Sequence, residues 1–230
     1  MRSIIVIDVE TTGKDPKLDT LVEVYAEDFR TGASFSSFVN PGVQIPASAS
    51  AVHHITDSMV SDSPDRSTVI GNLLEWLPDS AILCAHNARF DRGFLPEISE
   101  LDWICTLRLA RRLLPDVESY GNQVLRYALG LDVDMRGLPP HRAQSDVAVT
   151  RALLDHLLCV YRSDVDSSLC DLLAYVWEFF PVRRMPFGKH KGSKIGDIPT
   201  GWLSWADDNL NDVDSDLKRT ISEEYARRRR

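Results

Sequence analysis

The sequence of 230 residues contains few cysteines and no long apolar run. Its four cysteines are far apart, which excludes the CxxC pair of redox proteins and the ligand spacing of a zinc knuckle. No apolar run approaches the roughly 20 residues that cross a bilayer, and the first residues lack the order of a signal peptide. We therefore expect a cytoplasmic protein without a membrane partner. Cys84 and Cys105 lie in apolar runs, so we expect both thiols to be buried.

Positive charge is also scarce: 26 Lys and Arg stand against 34 Asp and Glu, which gives a formal net charge of -8. This balance argues against a protein that binds nucleic acid through a basic surface alone. It still allows an enzyme that acts on phosphates, provided that some carboxylates hold metal ions. The basic residues cluster toward the end, at 183–194 and 227–230. A hydrophobic content of 43% with 26% charged residues is ordinary for a globular protein and excludes a disordered chain.

Apolar patterning predicts an α/β domain followed by a smaller segment. Short apolar runs predict strands at 3–9, 20–28, 33–40, 81–85 and 103–105, of which the first three form a meander. Helical spacing predicts helices at 47–62, 65–77, 88–98, 107–114, 121–130 and 143–162. We expect this domain to span 1–162. A linker (163–168) and a helix (169–180) occupy 163–182, and a small module with a basic turn follows at 183–230.

Asp8 and Glu10 end the first predicted strand, where side chains at i and i+2 project from the same face. Two carboxylates this close cannot both ionise without cost, and a bound cation such as Mg²⁺ or Mn²⁺ relieves the repulsion. The segment Thr11-Thr12-Gly13 follows, and its glycine allows a close approach of the backbone to a substrate. Taken alone, the pair could equally be an exposed loop pair.

Asn87 and Asp91 follow the fourth predicted strand, and Asn87 is a candidate N-cap for the helix that carries Asp91. Ends of parallel strands and the helix starts behind them share one edge of a sheet, which brings Asp91 toward Asp8 and Glu10. The alternative is a carboxylate that only complements the dipole of its helix.

His141 and Asp146 open the longest predicted helix. Asp146 shares one face with Val149, Leu153 and Leu157, which must pack on the sheet, so its carboxylate needs a partner such as a metal ion. His141 could act beside that ion as a general base, although a lone histidine is often structural.

Together, Asp-x-Glu-Thr-Thr-Gly from Asp8, Asn-x-x-Phe-Asp to Asp91 and His-x4-Asp from His141 resemble the motifs of the DEDDh (DnaQ-like) 3′→5′ exonucleases. The segment 53–56, His-His-Ile-Thr, resembles the part of that family that lines the pocket for the terminal nucleotide. The resemblance implies an RNase H-like fold: a mixed sheet of antiparallel meander and parallel strands flanked by helices, followed here by a small, mainly helical module.

The resemblance also implies the site. Asp8, Glu10, Asp91 and Asp146 would hold two Mg²⁺ or Mn²⁺ ions, and His141 would accept the proton of the attacking water. The residues expected to contact the substrate are Thr11, Thr12, His53, Asn87 and Lys14. Lys14 departs from the family pattern, which often has an apolar wedge at this position, so Lys14 could touch a phosphate and Leu18 could supply the wedge.

The function implied is release of 5′-mononucleotides from the 3′ end of single-stranded or duplex DNA, in DNA repair or proofreading, where a polymerase or repair protein would be a partner. Two alternatives stay open. One is a 3′→5′ exoribonuclease of the same superfamily. The other is a non-catalytic binding subunit, which would be expected to have lost His141 or one of the four carboxylates. The C-terminal segment offers Lys189, His190 and Lys191 near Trp202 and Trp205. These tryptophans could stack on bases or form the core of a small module.

Overall fold

The computed structural model describes residues 2–115, 117–135, 137–164, 168–211 and 213–229, with the backbone alone for 162–164. The chain divides into two compact units, Met1–Val176 and Trp177–Arg230. Of the linker predicted at 163–168, residues 165–167 lie outside the described residues, and 163 and 164 continue a helix. No helix within the described ranges is both long enough and apolar enough to cross a membrane.

The first unit is built on a five-stranded sheet with the order β3-β2-β1-β4-β5. Its strands are β1 (Ile4–Thr11), β2 (Leu21–Asp28), β3 (Ser34–Phe38), β4 (Ile82–Ala85) and β5 (Asp102–Cys105). The β1–β2 and β2–β3 pairs are antiparallel, whereas β4 is parallel to both β1 and β5. This mixed sheet with helices around it confirms the predicted fold class.

Central strands of this sheet are buried because helices cover the sheet. Every residue of β2 and β4 is buried, which matches the continuous apolar sequence of β4, whereas β2 also buries Glu23, Glu27 and Asp28. Cys84 and Cys105 lie in the core, as predicted. The turn between β2 and β3 is fixed by Asp28, whose Oδ1 accepts hydrogen bonds from two backbone N–H groups of the turn.

Eight α-helices of the first unit lie within its described residues. They are α1 (Ala47–His53), α2 (Asp57–Val60), α3 (Arg66–Trp76), α4 (Arg89–Phe94), α5 (Thr106–Leu113), α6 (Asn122–Ala128), α7 (Ala143–Asp164) and α8 (Leu169–Trp177). The long helix α7 packs on β1 and β2 and also contacts α5 and α6. Val149, Leu153 and Leu157 are buried on α7, as the spacing predicts, and Leu154 and Tyr161 widen the same buried stripe.

One helix prediction is wrong: the stretch 88–98 is not continuous. Helix α4 ends at Phe94, and a short 3₁₀-helix follows at Pro96–Ile98. Proline lacks a backbone N–H and disfavours the helical conformation in the residue before it, so Pro96 ends the helix at Leu95. Helix α8 also ends earlier than predicted, at Trp177 rather than 180.

The second unit has its own small core and contains α9 (Thr200–Asn209) and α10 (Ser215–Arg228) with two 3₁₀-helices, Gly188–His190 and Ile195–Asp197. Its buried apolar residues are Val182, Met185, Ile195, Ile198, Leu203, Ala206, Leu217 and Ile221. The helical character predicted for this segment is therefore confirmed. Trp202 packs against this core while only partly buried, so one of the two tryptophans of α9 supports the fold.

Candidate active site

Asp8 and Glu10 lie at the carboxyl end of β1 and point to the same face of the sheet. Glu10 stands opposite Glu23 of β2, and the register of the two strands becomes irregular between Glu10 and Thr11. Helix α7 packs on β1 and β2, so its first turn reaches this end of the sheet and carries Asp146 there. The structure thus brings together three of the predicted metal ligands from two distant segments.

The three carboxylates of Asp8, Glu10 and Asp146 form a compact cluster. Each offers one oxygen, and these oxygens all lie within 4.8 Å of one another. Oxygen donors of this kind are the ones that Mg²⁺ and Mn²⁺ prefer. Without a cation, three such carboxylates in one half-buried pocket would repel one another. The donor set therefore fits a hard divalent ion.

Asp91 approaches the same cluster from the first turn of α4, a helix that packs against β1. The side chain is only 2% exposed, and its Oδ1 is buried without a hydrogen-bond partner among the described residues. An unpaired buried carboxylate oxygen is costly, and a cation is the partner that would satisfy it. Of the neighbouring carboxylates, Asp91 contributes most to raising the pKa of Asp8, which shows that the two charges lie close together.

The electrostatics of the four carboxylates report the same crowding. Burial, followed by repulsion from neighbouring carboxylates, raises the pKa of Asp8 well above its ordinary value and that of Glu10 to about 9. Burial also raises the pKa of Asp91 to about 7 and raises that of Asp146. Glu10 therefore holds a proton at neutral pH unless a cation replaces it, and the raised pKa values of its neighbours make their ionisation less favourable, so metal binding at the site is coupled to proton release.

His141 lies at the rim of the cluster. Its backbone N–H donates to Asp146 Oδ2 at 3.2 Å, and its ring Nδ1 lies 3.9 Å from the same oxygen. The side chain is 60% exposed, and the backbone adopts a left-handed conformation with φ 62°. A titratable ring that faces both solvent and the carboxylates can exchange a proton with a water molecule at the cluster.

Two residues that the sequence motifs do not indicate, Glu23 and Arg142, form a buried ion pair beside the cluster. Arg142 donates to Glu23 from Nη2 at 2.7 Å and from Nε at 3.1 Å, and the N–H of Ala143 donates to Glu23 Oε2 at 2.9 Å. The pair ties β2 to the segment between His141 and α7. Because Arg142 directly follows His141, its place near the site could have been predicted from the sequence. The place of Glu23 follows only from the strand register, which puts it opposite Glu10.

Gln123 of α6 is a third residue that the motifs miss. Its Nε2 donates to Asp146 Oδ1 at 3.0 Å, which orients the carboxylate from the side opposite His141. On the same helix, Asn122 donates to the backbone carbonyl of Asp146 at 3.2 Å and to Thr150 Oγ1 at 3.0 Å. Nothing in the spacing of α6 indicates this role, because it depends on how α6 packs against α7.

The loop after β1 presents the predicted substrate-contacting residues Thr11, Thr12 and Lys14. Both threonines are buried, whereas Lys14 is exposed. The Oγ1 of Thr12 accepts from the N–H of Thr20 at 3.0 Å, which closes the base of the loop. A side chain at Gly13 would collide with the carboxylate of Asp19, so glycine is needed there for close approach. At the tip of the loop, Leu18 is 85% exposed, as a wedge residue would have to be.

His53 is buried next to the site at the end of α1. Its Nδ1 accepts a hydrogen bond from the N–H of Ile55 at 3.0 Å, and its Nε2 is buried without a partner among the described residues. Burial lowers the pKa of His53, while the backbone of Thr11 and the charge of Glu23 oppose that change. A neutral ring with an unpaired buried nitrogen is suited to contact a bound molecule.

Asn87 does not cap α4 as predicted. The N-cap position is Ala88, without a side-chain hydrogen bond, and Asn87 is an exposed residue with φ 70°. Asparagine tolerates this left-handed conformation better than most residues, which explains its presence in a sharp turn. Next to it, His86 is held by Thr106 Oγ1 at 2.9 Å and the carbonyl of Tyr120 at 2.8 Å, and burial lowers its pKa to about 4.

The chain is similar in sequence to known exonucleases. The family model described as "Exonuclease" matches residues 5–154. Exodeoxyribonuclease 10 of Escherichia coli K12 is 32% identical over 224 residues, which covers 94% of this chain and 96% of that protein. The 3′-5′ exonuclease DinG of Bacillus subtilis 168 is 34% identical over 169 residues, covering 67% of this chain and 17% of that protein.

A solved structure shares both fold and sequence with this chain. It is described as exonuclease X in complex with 5′ overhanging duplex DNA, and it is 33% identical to this chain with a TM-score of 0.63. The match covers 75% of this chain and 99% of the solved chain.

Proposed function

The chain belongs to the exonuclease family, and from this membership we propose that it is a metal-dependent 3′→5′ exodeoxyribonuclease that releases 5′-mononucleotides from DNA ends, in repair or proofreading. The single observation that carries the metal-dependent step is the cluster of Asp8, Glu10 and Asp146 oxygens within 4.8 Å of one another. We propose residues 1–162 as the catalytic domain, since the family match ends at 154.

We assign Asp8, Glu10, Asp91 and Asp146 as the residues that hold two Mg²⁺ or Mn²⁺ ions. When bound, such ions activate a water molecule and neutralise charge that develops on the scissile phosphate. The unpaired buried Oδ1 of Asp91 supports its inclusion, because this oxygen lacks any other partner among the described residues. The raised pKa values of Asp8 and Glu10 mean that loading the site releases protons.

We assign proton transfer to His141. Its Nδ1 faces Asp146, so Nε2 is the nitrogen that accepts the proton of the attacking water. The Glu23–Arg142 pair holds the segment that carries this ring against β2, and Gln123 fixes the carboxylate that the ring faces. These contacts set the distance between base and cluster, and a well-placed general base contributes roughly 10²–10⁴-fold in rate.

The proposed pocket for the terminal nucleotide lies between the loop after β1 and His53. Thr11 and Thr12 offer backbone and hydroxyl groups at its base, and the unpaired Nε2 of His53 offers a hydrogen bond to the nucleotide. Lys14 is exposed at the loop, where its charge suits a phosphate of the strand. Asn87 is exposed in the turn before α4, and a contact from Asn87 to the nucleotide is also proposed.

The deciding experiment measures release of mononucleotides from a 3′-labelled single-stranded DNA in Mg²⁺, in Mn²⁺ and in EDTA. We expect activity with either ion and none in EDTA, and we expect Asp8→Asn to lose roughly 10³-fold or more, since charge stabilisation of several kcal/mol is removed. The matched control is Asp155→Asn, an exposed carboxylate on α7, which should keep full activity.

The same assay on duplex DNA and RNA tests the substrate class. A rate on RNA above that on DNA would reassign the protein as an exoribonuclease. Equal rates for wild type and Asp8→Asn, or no turnover with either ion, would contradict the catalytic proposal and favour a binding subunit.

A further inference from the structure

The second unit carries an exposed surface that the catalytic proposal does not use. It is formed by Lys189, His190, Lys191, Trp202 and Trp205, and it is called the ring–lysine surface below. Trp205 is 50% exposed although this unit has a core of its own, and both lysines are exposed. Trp205 is thus a large aromatic group of this unit that a ligand could contact.

Three rings of this surface form a row. The ring centroids of His190 and Trp202 are 5.0 Å apart with an edge-on arrangement, and those of Trp202 and Trp205 are 5.9 Å apart. Trp202 packs partly on the core and so anchors the row. The rings meet edge-on or tilted rather than face to face, so the half-exposed ring of Trp205 is the one that is open to a planar base.

The turn that presents His190 is fixed by its own hydrogen bonds. The N–H of Gly192 donates to the carbonyl of Met185 at 2.8 Å, and Arg184 Nη1 donates to the carbonyl of Gly192 at 2.8 Å. Gly188 and Gly192 have φ of 69° and 82°, a conformation that other residues rarely adopt. Because the turn is already ordered, little conformational entropy would be lost when it binds a ligand.

The charges of this unit separate into paired and unpaired groups. On α10, Arg219 pairs with Glu223, and Arg227 and Arg228 pair with Glu224. In contrast, no ion pair within the described part of the chain involves Lys189 or Lys191. Lys189 and Lys191, which flank His190 in the sequence, therefore carry positive charge that is available to a ligand.

We propose that the ring–lysine surface binds single-stranded DNA, with bases stacked on the rings and phosphates paired with the lysines. Rings alternating with cations fit this ligand because every base has an aromatic face and every nucleotide carries one phosphate. A protein partner would need apolar area or opposite charge around the rings rather than two unpaired lysines. The choice of DNA rests on the proposed function, whereas the choice of a single strand rests on the surface itself.

The test uses the full chain and a circular single-stranded oligonucleotide with a fluorescent label, in EDTA. A circle has no 3′ end, so it cannot enter the proposed catalytic pocket as a substrate, and EDTA prevents turnover. Fluorescence anisotropy then reports binding outside that pocket. We expect Trp205→Ala to weaken binding roughly tenfold, given that base stacking on one ring contributes about 5- to 150-fold, and Trp205→Phe to retain most of it.

A second variant tests the charges. We expect the double substitution Lys189→Ala with Lys191→Ala to weaken binding and to lower the slope of log affinity against log salt by about 0.7 for each phosphate that is no longer neutralised. Arg227→Ala is the matched control, because it removes an exposed cation of the same unit that is already paired. Circular dichroism establishes that each variant is folded.

Unchanged affinity in Trp205→Ala and in the double lysine variant would overturn the proposal, as would tighter binding to a circular RNA or equal competition by heparin. Loss of mononucleotide release with intact binding of the circle would contradict the proposed function and leave this surface as inferred. Failure of the wild-type protein to bind the circle, with mononucleotide release intact, would overturn the proposal for this surface and leave the proposed function standing.

Discussion

The two units of the molecule handle charge in opposite ways. The first unit collects four carboxylates near the end of β1, mostly out of water, where burial raises the pKa of each and repulsion between carboxylates adds to this for Asp8, Glu10 and Asp91. The second unit keeps its lysines exposed beside half-exposed rings. Buried like charges require a counter-ion, whereas exposed cations attract a strand without one. The net charge of -8 for the whole chain therefore does not indicate how either unit would interact with a charged ligand.

Because of this difference, we expect the two units to depend on different solution conditions. Protonation of buried acids makes the first unit sensitive to pH, and screening of exposed lysines makes the second sensitive to salt.

The largest effect is expected at His141, because it is an exposed group at the rim of the buried carboxylates of the first unit. We expect His141→Ala to lower kcat by roughly 10²–10⁴-fold, as loss of a general base does. Calorimetric titration with Mn²⁺ should still find binding, since the four carboxylates remain. A variant that no longer binds Mn²⁺ would instead give His141 a structural role.

The Glu23–Arg142 pair gives the next largest expected effect. It is a buried charge pair of the first unit that needs no metal ion, since each side chain neutralises the other. We expect Glu23→Gln to lower kcat by about tenfold with little change in KM, since the segment carrying His141 loses its tie to β2. Steady-state kinetics below the melting temperature measures both constants.

The matched control for Glu23 is Glu27→Gln, a buried glutamate on the same strand that pairs with Arg151 at 3.3 Å. It should cost comparable stability without the loss of kcat. Equal kinetic losses in both variants would show that Glu23 acts only through the stability of the fold.

The smallest effect is on the stability of the metal-free protein. The native state holds protons on Glu10 and Asp91 up to about pH 9 and about pH 7, whereas the unfolded chain releases them near 4.5 and 3.8. Native protein binds more protons over this range, so its stability falls as pH rises. Thermal denaturation in EDTA should show a melting temperature at least about 5 °C lower at pH 9 than at pH 5, since about 1 kcal/mol shifts it by about 2–4 °C.

Two comparisons isolate the source of this pH effect. Glu10→Gln should flatten the dependence, and Glu75→Gln, which removes an exposed carboxylate, should not. Added Mn²⁺ should restore stability at high pH. A dependence that is identical in all three proteins would place its origin outside the cluster.

Much of the fold and the site could be predicted from sequence because the signals are local. Short apolar runs indicated all five strands, and the positions of the three motifs at strand ends and helix starts indicated which carboxylates share an edge of the sheet. Pro96 was a local signal that the prediction of one helix at 88–98 overlooked. The family resemblance, drawn from the three motifs, is confirmed by the match over residues 5–154.

What could not be predicted depends on contacts between elements. Glu23 gains its role from strand register, and Gln123 from the packing of α6 on α7. The conformation of Asn87 depends on how the chain turns from β4 into α4, which residue type alone does not fix. The exposure of Trp205 against the partial burial of Trp202 required the structure of the second unit.

The left-handed backbone at His141 lowers the stability of the fold at the residue to which proton transfer is assigned. A residue with a side chain is destabilised by roughly 1–3 kcal/mol in such a conformation, whereas glycine adopts it freely. Mutation toward glycine would thus be favoured by folding and opposed by catalysis. Histidine at this position therefore lowers the stability of the protein, and the proton transfer proposed for His141 is the gain that would offset this loss.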